Sequence, residues 1–204
     1  HMKIYVIRHG ETDWNRELRL QGREDVPLNA AGKIQAAVCG DALKGLGIQA
    51  VFTSPLSRAR LTGEILAGRI GLDPGAVLAM DDLIERDLGE FSGKLIKDRQ
   101  EYFSVSAGQD SCGMEPFEQV GIRMLRALSD LSKSGFSSVA AVSHGAAINV
   151  LLARLSDHRL GTGKTKLLNG GISLLEGSAA EGFSITVCNA SPDEFRRIVS
   201  PWRP

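Results

Sequence analysis

The chain has 204 residues, 43% of them hydrophobic, with 24 Lys and Arg balanced by 24 Asp and Glu. That length suits one α/β domain with a full core, and the formal charge of zero provides no global field to hold nucleic acid or an acidic membrane surface. No apolar stretch approaches the ~20 residues of a spanning helix, no signal-peptide pattern opens the chain, and Cys39, Cys112 and Cys188 are odd in number and far apart, which points to reduced thiols in a cytoplasmic protein.

His1-Met2 reads as the scar of an expression tag, and the first strand is expected over Lys3 to Ile7. Its consecutive apolar residues mark a strand covered on both faces. Pro27-Leu28-Asn29 opens a helix with Asn29 as cap and Ile34, Val38 and Ala42 on one face, closed by Gly45 or Gly47. Ala50 to Thr53 is a buried strand, and Ser54-Pro55 leads into a helix from Ser57 to Gly68. Val77 to Met80 is a further apolar run. Pro116 to Lys133 carries Phe117, Val120, Met124, Leu128 and Leu131 at helical spacing and is stopped by Gly135. A strand over Val139 to Val142 and a helix over Ala146 to Leu155 follow. Ile172 to Leu175 and Phe183 to Val187 read as a terminal hairpin, and the tail from Asp193 as charged, with a loosely held end at Pro201 to Pro204. Alternating strands and helices predict an α/β fold of three layers: a mostly parallel sheet, helices on both faces, and a C-terminal antiparallel edge.

Four polar elements fall just after predicted strands: Arg8-His9, Arg58, Glu85 and His144-Gly145. Strand ends of a parallel sheet share one edge, so distant residues meet there. Gly10 lets the backbone turn or approach a ligand. Arg8, Arg58 and His144 around His9 form a local cationic trap suited to phosphate, because guanidinium forks bind phosphoryl oxygens bidentately. Two nearby cations push His9 toward neutral imidazole, whose lone pair can attack phosphorus. Glu85 is the best-placed acid for the leaving oxygen, with Asp87 as its substitute and a solvated loop as the alternative for both.

Arg8-His9-Gly10-Glu11-Thr12 with Asn15, Gln21-Gly22-Arg23 through Asn29, Thr53-Ser54-Pro55-Leu56-Ser57-Arg58-Ala59, Glu85 with Gly89 and Gly93, and Ser143-His144-Gly145 occur in order over nearly the whole chain. In these blocks the chain resembles the histidine phosphatase superfamily, in its phosphoglycerate-mutase-like branch. The resemblance implies that fold, a nucleophilic His9, a phosphate pocket of Arg8, Arg58 and His144, and Glu85 as proton donor. It also implies substrate contacts near Thr12, Asn15, Gln21, Gly22 and Gly145, with no metal and no cofactor. Glu115 resembles a position that supports the arginine cluster.

Mutases of that family carry a longer segment over the site, whereas only Lys94 to Met114 stand here between Gly93 and Glu115. A single domain over residues 1–204, with 94–114 as a site-covering insertion, is therefore expected to hydrolyse a small phosphorylated metabolite through phosphohistidine. A phosphoglycerate mutase and a non-catalytic phospholigand-binding protein are the alternatives, and a homodimer is left open. Arg58 can also be read as a helix-surface residue, His158 as an exposed loop residue, and Asn15, Gln21 and Asn169 as turn caps. Gly161-Thr162-Gly163-Lys164-Thr165 imitates the end of a P-loop, but His158 stands where that motif needs its first glycine.

Overall fold

The computed structural model describes residues 1–95 and 113–200. Its strands are β1 (Met2–Arg8), β2 (Ala50–Thr53), β3 (Leu78–Ala79), β4 (Ser138–Ser143), β5 (Ile172–Ser178) and β6 (Gly182–Ala190), in the order β3-β2-β4-β1-β5-β6. β3, β2, β4 and β1 run parallel, while β5 is antiparallel to β1 and to β6. The expected parallel sheet with an antiparallel hairpin at one edge is therefore present.

Because successive strand side chains point to opposite faces, β1 serves two cores. Ile4 and Val6 pack with Val139 and Ala141 beneath α4 (Phe117–Ser132) and α5 (Gly145–Leu155). Tyr5 and Ile7 pack with Ala140 and Val142 beneath α2 (Ala30–Leu43) and α3 (Ser57–Ile70). The chain moves outward from β1 to β2 and β3 through α2 and α3. It then returns through α4, on the opposite face, to place β4 between β2 and β1. Reversals of this kind leave a crevice at the carboxyl ends of the strands.

Three expectations change. Asn29 does cap α2, accepting the Gly32 N–H at 2.9 Å, but Ile34 and Val38 are exposed. The buried stripe is Ala36, Cys39, Gly40 and Leu43, because α2 lies so close to α3 that a Cβ on Gly40 would sit 2.6 Å from the Cβ of Arg69. The Val77 to Met80 run yields only the two-residue β3, and both its residues are exposed. The charged tail forms α6 (Pro192–Val199), opened by a reciprocal capping box between Ser191 and Glu194 and anchored by fully buried Phe195. Met2 pairs with Gly177 and is buried. Pro201 to Pro204 and most of the 94–114 insertion lie outside the described residues. No helix among the described residues is long and apolar enough to cross a membrane.

Candidate active site

Strand register assembles the site. Arg8 pairs with Ser143 and Thr53 with Val142, so β1, β4 and β2 end level with one another. The alignment continues one residue past each strand: His9 N–H donates to the Ser143 carbonyl at 3.1 Å, and Ser54 N–H to that of Val142 at 3.0 Å. After His9 the chain turns tightly against α2, where a Cβ on Gly10 would lie 2.3 Å from the Gly32 oxygen. Only glycine fits that approach.

His9 is buried and its Nδ1 lies 2.6 Å from the Gly10 carbonyl oxygen. A carbonyl only accepts, so the proton sits on Nδ1 and the Nε2 lone pair is the acceptor of the Arg58 Nε–H. Arg58 Nε faces that atom at 3.3 Å. The remaining Arg58 nitrogens donate to the Glu24 and Gly22 carbonyls at 2.6 and 2.7 Å, which fixes the guanidinium in place. Arg58 is 1% exposed, so it is not a surface residue of α3. Burial first, then Arg58 and Arg8, lower the His9 pKa well below 6.5. Like charge, from which a neutral imidazole is expected, acts in that direction, with desolvation as the larger cause. Burial also lowers Arg58 to about 10, so it stays cationic at neutral pH.

His144 lies against His9 with ring centroids 5.1 Å apart, and its Nε2 is 2.7 Å from the Ser54 hydroxyl. Burial, followed by Arg58, His9 and Arg8, lowers its pKa as well. Arg8 donates through Nη1 to the Leu167 carbonyl at 2.6 Å. Arg8 Nε and His144 Nδ1 are buried without a hydrogen-bond partner among the described residues. Unmet polar atoms in a cationic crevice are what an arriving oxyanion can satisfy.

Glu85 enters from the loop after β3. Its Oε1 accepts the N–H groups of Arg86 and Ala147 at 2.8 and 2.9 Å, and Oε2 that of Ala146 at 3.1 Å. The carboxylate therefore sits on the first turn of α5, right after His144. Asp87, the substitute acid, accepts the Gly89 N–H at 2.8 Å and serves as a local cap. The acid loop is clamped from behind. Arg123 forks onto Glu115 at 2.8 and 2.9 Å and donates to the Asp82 and Ile84 carbonyls at 2.9 and 2.6 Å. Arg23 links the Glu85 carbonyl and Glu115 at 3.1 and 3.3 Å. Burial pulls the Glu115 carboxyl up, but hydrogen bonding and charge from Arg123, with smaller parts from the Asp87 N–H and Arg23, hold it below 4.5.

The residues expected to meet substrate are joined to one another. Thr12 donates to Gln21 at 2.7 Å, and Asn15 accepts the Thr12 N–H at 3.0 Å in a capping box at the short helix α1 (Asp13–Arg16 by position, preceding α2). Gly22, at φ +53°, supplies the carbonyl that holds Arg58. Gly145 opens α5, where a Cβ would stand 3.4 Å from Arg8 Nε. Sequence reasoning gave no role to Thr62 or Arg123, and none in the site itself to Ser54 or Asn169. Asn169, read as a turn cap, donates to the His9 carbonyl at 3.1 Å. Arg123 had a signal: with Val120, Met124 and Ala127 it occupies the i, i+3, i+4, i+7 buried stripe of α4. His158 is exposed as expected. The Gly161 to Thr165 turn is closed on itself, with Gly161 N–H on the Thr165 hydroxyl at 2.9 Å and Lys164 Nζ on the His158 carbonyl. Among the described residues no group of three or more His, Cys, Asp or Glu converges as a metal site.

A family model for the histidine phosphatase superfamily (branch 1) matches residues 4–190. The chain is 34% identical over 174 residues to the phosphatase PhoE of Bacillus subtilis, covering 85% of this chain and 87% of that one. It is 35% identical over 164 residues to a probable phosphoglycerate mutase, GpmB, of Klebsiella pneumoniae, covering 76% and 74%. The solved mycobacterial glucosyl-3-phosphoglycerate phosphatase in complex with VO3 superimposes with a TM-score of 0.81 at 26% identity, covering 94% of this chain and 100% of that one.

Proposed function

The chain belongs to the histidine phosphatase superfamily, branch 1, as an enzyme of its phosphatase or mutase kind, and from that premise we propose that it hydrolyses a small phosphomonoester through phosphohistidine. The observation that carries this reading is the orientation of His9: Nδ1–H is held by Gly10 while Nε2 faces Arg58.

In the first step Nε2 attacks phosphorus, the N–P bond forms and the ester P–O bond breaks. The leaving alkoxide takes a proton from Glu85. Arg58, Arg8 and His144 hold the equatorial oxygens as charge moves to the leaving group. The Gly10 carbonyl supports the positive ring that results. In the second step Glu85 takes a proton from water, the hydroxide oxygen bonds to phosphorus, and the N–P bond breaks. Inorganic phosphate departs and His9 is neutral again. Splitting one displacement into two lowers each barrier. Two guanidinium groups supply the positive charge, and the reading includes metal-independent action in the cytoplasm.

Similarity to PhoE and to the glucosyl-3-phosphoglycerate phosphatase favours hydrolysis of a phosphorylated metabolite. So does the short Lys94 to Met114 segment, since a shorter cover leaves phosphohistidine open to water. The test is product analysis on phosphorylated metabolites, including 3-phosphoglycerate, with and without a chelator. Release of inorganic phosphate in both conditions is expected. Conversion of 3-phosphoglycerate to its 2-phospho isomer without net phosphate release identifies a mutase instead, and activity lost to the chelator removes metal independence.

A further inference from the structure

Thr62 lies one helical turn beyond Arg58, fully buried in α3, outside every residue set used above. Its hydroxyl donates to the Arg58 carbonyl at 2.7 Å, an i−4 bond that any helical threonine can make. The second bond is not local. Gly10 N–H donates to the same oxygen at 3.1 Å, across 52 residues of sequence. Gly10 is also the residue whose carbonyl holds Nδ1 of His9. One hydroxyl thus joins the peptide that follows the nucleophile to the helix turn that carries the phosphate arginine.

We propose that Thr62 is a positioning residue, which fixes the spacing between His9 and Arg58. The turn after His9 is held on two sides, by α2 at Gly32 and by α3 at Thr62. Contact with Gly32 limits how near the turn can come but not how it rotates. The hydroxyl sets the rotation of the His9–Gly10 peptide, while the Gly10 carbonyl belongs to the next peptide, whose Glu11 N–H donates to Gln35 at 2.7 Å. If the Thr62 restraint is lost, the His9 backbone can turn and carry Nε2 out of line with Arg58.

This inference rests on the phosphohistidine reading, so its test is run beside His9→Ala. Thr62→Val keeps the shape and removes the hydroxyl, and Thr62→Ser keeps the hydroxyl. Per folded molecule, Thr62→Val is expected to lower kcat by about tenfold to a hundredfold with KM changed less than about twofold, as for a misplaced reacting group. Thr62→Ser is expected to stay within about threefold of wild type on the same reasoning. Should Thr62→Val fail to fold, Thr62→Ala takes its place under the same criteria. An unchanged kcat in the hydroxyl-free variant overturns the proposal, as does an equal loss in Thr62→Ser. If His9→Ala is inactive in that outcome, the phosphohistidine reading stands while Thr62 falls; an active His9→Ala removes the reading itself.

Discussion

Oε1 of Glu85 accepts the backbone N–H of Ala147 at 2.9 Å, which ties the carboxylate to the helix that begins just after His144. The acid is thereby located by main-chain atoms of the same segment that positions the second histidine, rather than by the flexibility of its own loop. In the proposed mechanism it serves the leaving oxygen and then the water.

Glu85→Gln keeps an acceptor for these N–H groups but cannot transfer a proton. Removing general acid catalysis costs about 10²- to 10⁴-fold. Steady-state assays are expected to show that loss in kcat/KM, which reports phosphoryl transfer to His9, for an alkyl phosphate and a much smaller one for a nitrophenyl phosphate, whose leaving group needs no proton. Equal losses in kcat/KM on both substrates point to a structural role for Glu85 instead.

Arg58→Ala removes the guanidinium 3.3 Å from His9 Nε2 and leaves the Gly22 and Glu24 carbonyls without their donor. A loss of about 3 kcal/mol in transition-state stabilisation, roughly 10²-fold or more in kcat/KM, is expected by analogy with a single oxyanion donor. Arg58→Lys is expected to recover little, because a compact ammonium cannot span the partners that the three guanidinium nitrogens reach together. A wild-type rate in either variant takes Arg58 out of the site.

His9 and His144 are both held neutral, with pKa values well below 6.5, chiefly by burial. The unfolded chain protonates these rings near 6.5 while the native one does not, so below that pH the unfolded state binds more protons. Stability is therefore expected to fall as pH drops from about 7 toward the lowered native values. Urea unfolding across that range measures it, and a His9→Gln, His144→Gln pair should show a flatter slope. An identical slope in the pair places the titration elsewhere.

Glu115 behaves with the opposite sign. Its native pKa lies below 4.5, so its contribution to stability is present above 4.5 and is lost as pH falls through the native value. Glu115→Ala leaves the Arg123 guanidinium buried without its carboxylate and is expected to cost about 2–5 kcal/mol at neutral pH, read by urea denaturation. The cost should shrink at acidic pH, where the wild type has lost the same charge. A pH-independent difference contradicts this.

Much of the site was legible because strands and polar residues alternate in the sequence in a way the sheet preserves. Ile4 to Ile7 could only be a doubly covered strand, so Arg8 and His9 had to emerge at its end, and the level register of β1, β2 and β4 did the rest. Faces were less legible than elements. Ile34 and Val38 have helical spacing but face outward, since α2 meets α3 through Ala36, Cys39 and Gly40, small residues that hydrophobicity alone undervalues. In α6 the Ser191 and Glu194 capping box was readable, yet four charged residues hid the single anchor, Phe195, whose ring stands edge-on to Tyr5 at 5.9 Å. Thr62 and Ser54 were hidden for another reason: a hydroxyl acts through direction, and direction exists only in the folded chain.

Trapping the covalent intermediate tests the central claim most directly. Enzyme quenched in alkali during turnover of a labelled phosphomonoester is digested and mapped by mass spectrometry. Phosphate on Nε2 of His9, absent from His9→Ala, is the expected result. A label esterified to a serine, threonine or carboxylate, or full turnover by His9→Ala with no labelled histidine, contradicts it.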